Sequence, residues 1–436
     1  MRSEWGKAPE GRHKQFEHPM LNETTAPKTA GKSGADLLSA IREAAVRIRE
    51  SIYCSPCQYS ASLSAASGQK VHLKLENLQM TGSYKERGAL NKILLLTPDQ
   101  RKNGVIAASA GNHAQAVAYH AGRLGIRSTI VMPSITPLVK VTATQSYGAE
   151  VVLDGANYDE ACKHALAMAA ERKMTFLHPF DDFDVIAGQG TIGLEILEQV
   201  PEVEAAVIPV GGGGLIAGVA CALKEQRPKM KIVGVQTARL PSMVAAVENR
   251  VPVIIPSAST IADGIAVRRA GDNTLPLVLK YVDEMVTVEE EEIASAILTL
   301  LEKEKTLAEG AGAAATAALL QHKTGLNGQR TVSIVGGGNI DVSLLSRIIE
   351  RGLVKDGRLV RIRIHLPDRP GALVELSTVI AAQRANIVEL QFDRAYYGVS
   401  LGDTAIDVTL ETRGAEHLSE LVAAISRAGY AHERIL

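Results

Sequence analysis

The feature that most limits what this chain can become is a rhythm. Between about residue 71 and residue 335, apolar runs of strand length alternate with stretches of helical periodicity. Residues 71–76, 104–109, 128–132, 150–153, 205–210, 231–236 and 331–335 read as strands, and 114–124 and 215–224 as helices. Strand–helix alternation of this kind predicts an α/β protein with open, mostly parallel sheets and flanking helices. In such sheets ligands bind beyond the carboxyl ends of the strands, so the loops that follow strands carry the functional information. An amphipathic helix over 36–50, with Asp36 as N-cap and Leu37, Leu38, Ile41, Ala45 and Ile48 at helical spacing, opens the ordered chain.

After about Val354 the pattern changes. Residues 359–366 alternate polar and apolar, a helix follows with Leu373, Leu376 and Ile380 on one face, and strands at 387–394 and 404–410 precede a helix with Leu418, Leu421 and Ile425 and a short end strand. This is a ferredoxin-like βαββαβ module. The chain therefore divides into a tail over 1–34, a catalytic unit over 35–354 with a smaller subdomain at roughly 81–180, and a separate module over 355–436. The tail is rich in Lys, Gly, Pro and Thr and reads as disordered; Glu4, Glu10, Glu17 and Glu23 argue against a transit peptide.

Composition removes several classes of function. A net charge of −1 and 4% aromatic residues give neither an electrostatic footprint nor a stacking surface for nucleic acid or an anionic membrane. No apolar stretch has the length of a membrane span. Four cysteines (Cys54, Cys57, Cys162 and Cys221) in 436 residues are too few for a disulfide framework, which points to a reducing, cytoplasmic setting. Cys54 and Cys57 have the spacing of a redox dithiol, but Pro56 between them reads better as the start of an extended segment.

Three glycine-rich loops follow strands. Gly211, Gly212, Gly213 and Gly214 join the strand at 205–210 to a helix starting near Leu215. Lacking Cβ atoms, they let the backbone turn its N–H groups onto a ligand at the positive end of a helix, which suits a phosphate. No Gly-Lys-Ser/Thr ending makes the run a nucleotide P-loop, and no spaced dinucleotide fingerprint is present. Ser109, Ala110, Gly111, Asn112 and His113 form the second loop, able to hold a carboxylate on backbone donors and to offer the Asn112 amide to an oxygen. Gly336, Gly337, Gly338 and Asn339 form the third. Lys85 lies between Tyr84 and Glu86-Arg87 just after the first strand. An anion cradle together with a lysine able to form a Schiff base are what pyridoxal phosphate requires.

The motifs then carry a resemblance. Residues 81–89 (TGSYKERGA) look like the lysine motif of the fold-type II pyridoxal-phosphate enzymes, and SAGNHAQ at 109–115, the four glycines, Ala262-Asp263-Gly264 and Glu309-Gly310-Ala311-Gly312-Ala313 resemble further family segments in the same order, over about residues 36–350. Within the family the similarity is strongest to threonine dehydratases (threonine ammonia-lyases), and the end module, with Asp368-Arg369-Pro370-Gly371-Ala372-Leu373, resembles an ACT domain. The resemblance implies that Lys85 holds pyridoxal 5'-phosphate, Tyr84 flanks it, Gly211 to Gly214 with Leu215 cradle its phosphate, Asn112 contacts its ring hydroxyl, and Ser109 to His113 take the substrate carboxylate. It further implies conversion of threonine to 2-oxobutanoate and of serine to pyruvate, with serine or hydroxyaspartate dehydration or racemisation as the alternative. Isoleucine or valine is the expected effector and a dimer or tetramer the expected assembly. Gly336 stands where relatives place a Ser, Thr or Cys against the pyridine nitrogen; Ala110 replaces the serine that racemases use as a second acid/base, and Gln236 replaces an acid that helps bind a metal in some of them.

Overall fold

The computed structural model describes residues 34–393 and 402–435. The expected tail lies outside the described residues apart from Gly34, the first residue of helix Gly34–Ile48. The larger sheet has the strand order Cys57–Tyr59, Lys70–Leu75, Arg330–Val335, Ala205–Pro209, Lys231–Thr237, Glu284–Val288. Its first pair is antiparallel and its other pairs are parallel. The smaller sheet runs Glu150–Leu153, Ser128–Met132, Val105–Ala108, Thr175–Phe176, all parallel. Ala206 and Ile208 pack into one apolar core and Val207 into another. Both faces of the sheet are thus covered, which is why these strands are apolar throughout rather than alternating.

Each strand expected between residues 71 and 335 is present, its ends within one residue of the expectation. Cys57–Tyr59, Thr175–Phe176 and Glu284–Val288 were not anticipated: two are only three and two residues long, and the third is half-exposed at a sheet edge. The extended reading after Pro56 agrees with the strand Cys57–Tyr59.

Helix Gly34–Ile48 buries Leu37, Ile41 and Ala44 in the same core as Ile186, Ile192 and Ile196 of helix Phe183–Gln199. The latter helix also seats the lysine-bearing helix Lys85–Leu94. A Cβ built on Gly188 would lie 2.6 Å from both the Arg87 carbonyl oxygen and Gly88 Cα, so the two backbones meet where both helices carry glycine. This close approach fixes the height of Lys85 over the sheet.

Helix Val342–Lys355 packs on helix Glu290–Glu304, with Gly352 against Leu298. Beyond it, Leu359–Pro367, Ala372–Ala382, Asn386–Asp393, Asp403–Glu411, Ala415–Arg427 and His432–Ile435 follow in βαββαβ order. Their antiparallel sheet turns Val360, Ile362, Ile364 and Leu366 into a core shared with Leu376, Ile380, Leu421 and Ile425 of the two helices.

Candidate active site

Strand order brings the lysine loop, the tetraglycine turn and the third glycine loop together. Val335 lies opposite Leu75, and Ser333 opposite both Leu73 and Val207, so the loops leaving these three neighbouring parallel strands emerge side by side. The lysine loop is laced to the third glycine loop: Tyr84 N–H donates to the Gly336 carbonyl at 3.0 Å, Gly338 N–H to the Gly82 carbonyl at 2.9 Å, and Ser83 bridges Gly337.

Lys85 begins its helix, and its Nζ donates to the Pro179 carbonyl at 2.8 Å. Burial pulls the amine down to about 8, against the opposing pull of Glu309. Two residues on, Arg87 donates from Nε and Nη2 to Glu76 at 2.8 Å each, and from Nη1 and Nη2 to Glu195 at 2.6 and 2.9 Å. Lys74 adds a second cation to Glu195 at 2.5 Å. This buried network ties the first turn of the lysine helix to the sheet and to helix Phe183–Gln199, and the matched charges offset one another's desolvation.

The tetraglycine turn lies across the cavity from Lys85. Tyr84, Lys85, Phe180, Pro209, Val210, Gly211 to Gly214, Leu215, Gly264 and Val267 line one small cleft. The Gly212 carbonyl is turned outward, accepting from Thr274 Oγ1 at 2.6 Å and from Gly271 N–H at 3.3 Å. Among the described residues, the N–H groups from Gly212 to Ile216 donate to no backbone carbonyl. They stand at the positive end of helix Gly214–Lys224, an arrangement suited to an anion.

The second loop caps helix Asn112–Arg123, whose first N–H groups are free of backbone partners among the described residues. Ser109 Oγ accepts from Gly111 N–H at 3.2 Å, Ala110 is half-buried, and nothing stands within 4 Å of a Cβ built on Gly111. Asn112 turns its side chain to Glu309 and Asn339, with Nδ2 at 2.7 Å from Glu309 Oε1 and Oδ1 at 2.8 Å from Asn339 Nδ2. His113 instead points its Nε2 at the Leu177 carbonyl, 2.9 Å away. Burial first, then Lys85, drives its imidazole down to about 3, so it is neutral and its side chain is packed within the fold; what it can offer a ligand is its backbone N–H. The lining residues of the tetraglycine cleft include Tyr84, Lys85 and Leu215 but not residues 109–113. The second loop meets the cleft at Gly264, where a built Cβ would stand 3.9 Å from Asn112 Nδ2.

A family model described as pyridoxal-phosphate dependent enzyme matches residues 48–337. The chain belongs to the pyridoxal-phosphate-dependent enzymes. An ACT domain model matches residues 356–429. A curated L-threonine ammonia-lyase of Thermotoga maritima is 48% identical over 393 residues, 90% of this chain and 98% of that protein. Among solved structures, the processed form of threonine deaminase isoform 2 from Solanum lycopersicum is 36% identical with a TM-score of 0.70, covering 73% of this chain and 94% of that one. Maize serine racemase is 33% identical with a TM-score of 0.69, covering 73% of this chain and 98% of its own.

The cofactor of this family, pyridoxal 5'-phosphate, fits the residues present. A Cβ at Gly211 would come within 3.1 Å of Ile265 Cα and one at Gly213 within 2.8 Å of Thr274 Oγ1, so the cradle is shaped for bare backbone, with unpaired donors beside the half-buried Lys85. Ser83 Oγ and His113 Nδ1 are buried without a hydrogen-bond partner, and each adjoins a loop of the site. Gly336 brings its Cα to the Tyr84 ring, where a built Cβ would lie 3.3 Å from the ring edge. Gln236 accepts from Met243 and Val244 N–H at 2.8 and 3.0 Å. Its amide thus caps helix Ser242–Asn249. Among the described residues no group of three or more His, Cys, Asp and Glu could hold a metal ion, and no helix is long and apolar enough to cross a membrane. Sequence reasoning did not assign Glu309 or Asn339 a role. The signal available for Glu309 was an acid directly before a Gly-Ala run at a helix start.

Proposed function

We propose that this enzyme is an L-threonine ammonia-lyase, converting threonine to 2-oxobutanoate and ammonia and serine to pyruvate and ammonia. The observation that carries the reading is the half-buried Lys85 lining one cleft with an anion cradle, in a chain 48% identical to an L-threonine ammonia-lyase over 90% of its length. Lys85 would hold the cofactor covalently and Gly211 to Gly214 with Leu215 its phosphate. Tyr84 would flank its ring, and Asn112 would donate to its ring oxygen. The backbone donors of Ser109 to His113 would take the substrate carboxylate. When bound, the cofactor supplies an electron sink for the bond broken at the substrate's α-carbon. With substrate in place, Lys85 would take the α-proton at Nζ as a general base; an amine held near 8 is well matched to that task. The β-hydroxyl would leave as water, taking up one proton for the one that Lys85 removes from the α-carbon; the dehydrated product then adds water and gives the 2-oxo acid and ammonia. Ala110 has no exchangeable proton, which favours elimination over racemisation.

Residues 35–354 form the catalytic unit in this reading, and the module over 355–436 binds a regulatory amino acid, isoleucine or valine. The enzyme works as a cytoplasmic dimer or tetramer, in keeping with four free thiols. The test is a visible spectrum of the cofactor-supplied protein, followed by threonine, serine or hydroxyaspartate and assays for 2-oxo acid and for the D-isomers. Yellow protein, 2-oxobutanoate from threonine, and loss of both in Lys85→Ala are expected. A Lys85→Ala protein with normal turnover refutes the assignment, and a colourless protein that binds amino acids makes it a sensor instead.

A further inference from the structure

Two backbone segments far apart in sequence are both carved to admit one side chain. A Cβ on Gly337 would lie 2.5 Å from Glu309 Oε1, and one on Gly264 3.2 Å from the same atom. Glu309 precedes helix Gly310–Leu320 and is 5% exposed. Its carboxylate accepts from Asn112 Nδ2 and from the Asn339 backbone N–H. Its own N–H donates to the Gly337 carbonyl at 3.0 Å.

The hydrogen bonds decide which way the amides point. Asn339 donates from Nδ2 to the Thr81 carbonyl at 2.7 Å, a backbone oxygen that can only accept. The atom of Asn339 facing Asn112 is therefore a donor, at 2.8 Å, and the atom of Asn112 that meets it is Oδ1. The other end of the Asn112 amide is then the nitrogen, and it meets a carboxylate at 2.7 Å, again an acceptor. A chain of acceptor, amide, amide, acceptor has one self-consistent orientation. One of the two Asn112 Nδ2 hydrogens is consumed by Glu309, and one remains.

We propose that Glu309 is a positioning residue: with Asn339 it locks the Asn112 amide so that the remaining N–H is held for an acceptor oxygen on the ring of the bound cofactor. This rests on the reading that Asn112 faces that oxygen. The charged and titratable groups around the Glu309 carboxyl are Asp263, Lys140, Lys85 and Tyr84. Burial, reinforced by Asp263, lifts the carboxyl to about 7, so the lock is charge-assisted above neutrality and weakens as the carboxyl protonates below it.

The test uses full-length protein with pyridoxal 5'-phosphate and reads cofactor affinity and the visible band, neither of which needs turnover. Glu309→Gln keeps an acceptor for Asn112 but has no titrating charge; its cofactor affinity is expected within about threefold of the parent, with the band no longer shifting around pH 7. Glu309→Ala is expected to weaken cofactor binding at least tenfold, and adding it to Asn112→Ala is expected to change nothing more, because both remove the same donor. Additive losses in the double variant, or a band that titrates near pH 7 in Glu309→Gln as in the parent, overturn the proposal. If Glu309→Ala does not fold, Glu309→Gln alone decides it through the pH dependence of the band. A parent protein that takes up no colour fails the functional reading instead.

Discussion

A lysine in water holds its proton to about 10.5, so near pH 7 fewer than about one in a thousand is nucleophilic. Lys85 departs from this because it is half-buried, with its Nζ 2.8 Å from the Pro179 carbonyl and, among the described residues, no carboxylate paired with it. Desolvation disfavours the ammonium, and Glu309 recovers only part of the loss, which leaves the amine at about 8. The fraction of free amine at neutrality rises by roughly two orders of magnitude as a result. Capture of pyridoxal 5'-phosphate by the apoprotein is accordingly expected to speed up about tenfold per pH unit below 8 and to level off above it. Stopped-flow absorbance across pH 6–10 reads this directly, and a rise that continues to 10.5 rejects the depressed value.

The tetraglycine turn works as an element because two separate constraints meet in it. Gly213 has φ +99°, a conformation that side-chain-bearing residues rarely adopt, and a Cβ there would also press on Met243 and Thr274. Gly125 has φ +66° but open space around it. Alanine at Gly125 thus measures the conformational penalty alone, of about 1 kcal/mol. Alanine at Gly213 adds the clash. We expect Gly213→Ala to lose about 2–3 kcal/mol by urea unfolding and at least tenfold in cofactor affinity, and Gly125→Ala to leave that affinity unchanged. Equal cofactor affinities in the two variants separate the turn from the cofactor. The lysine helix meets a comparable pair of demands, clamped by Arg87 between Glu76 and Glu195 on one side and by glycine-to-glycine contact with helix Phe183–Gln199 on the other.

At the scale of the whole molecule, the end module has its own core, and one ion pair joins it to helix Glu290–Glu304. Arg358 pairs with Glu302 at 2.6 Å, both ends partly exposed, a contact worth about 0–1 kcal/mol. The firmer connection is helix Val342–Lys355. It is capped by Asp341, two residues beyond Asn339, and its far end leads into the strand Leu359–Pro367. One rigid element therefore reaches from the loop that orients Asn112 to the module. Deleting residues 356–436 keeps this helix whole. We expect threonine turnover within a few-fold of the parent and no response to isoleucine or valine, both read in a 2-oxo acid assay; a truncated enzyme that still responds would place the effector site in the catalytic unit.

Much of this molecule was legible before any coordinates. Local signals set seven of the strands from 70 to 335 but not Thr175–Phe176 or Glu284–Val288, and they set the βαββαβ order of the end module and the lysine and glycine segments, because periodicity and bare backbone are properties of short stretches. Strand order was not legible: Arg330–Val335 inserts between Lys70–Leu75 and Ala205–Pro209, and no local pattern encodes a pairing across more than 250 residues. That insertion alone makes the third glycine loop a neighbour of the lysine. The chain Thr81–Asn339–Asn112–Glu309 depends on the same placement, and the inward turn of His113 on its packing against Leu177 in the smaller sheet's region; burial and hydrogen-bond direction arise only when distant segments are packed together. The sequence by itself determined which groups the site has to work with; the tertiary structure decided which of them meet, and with which atoms.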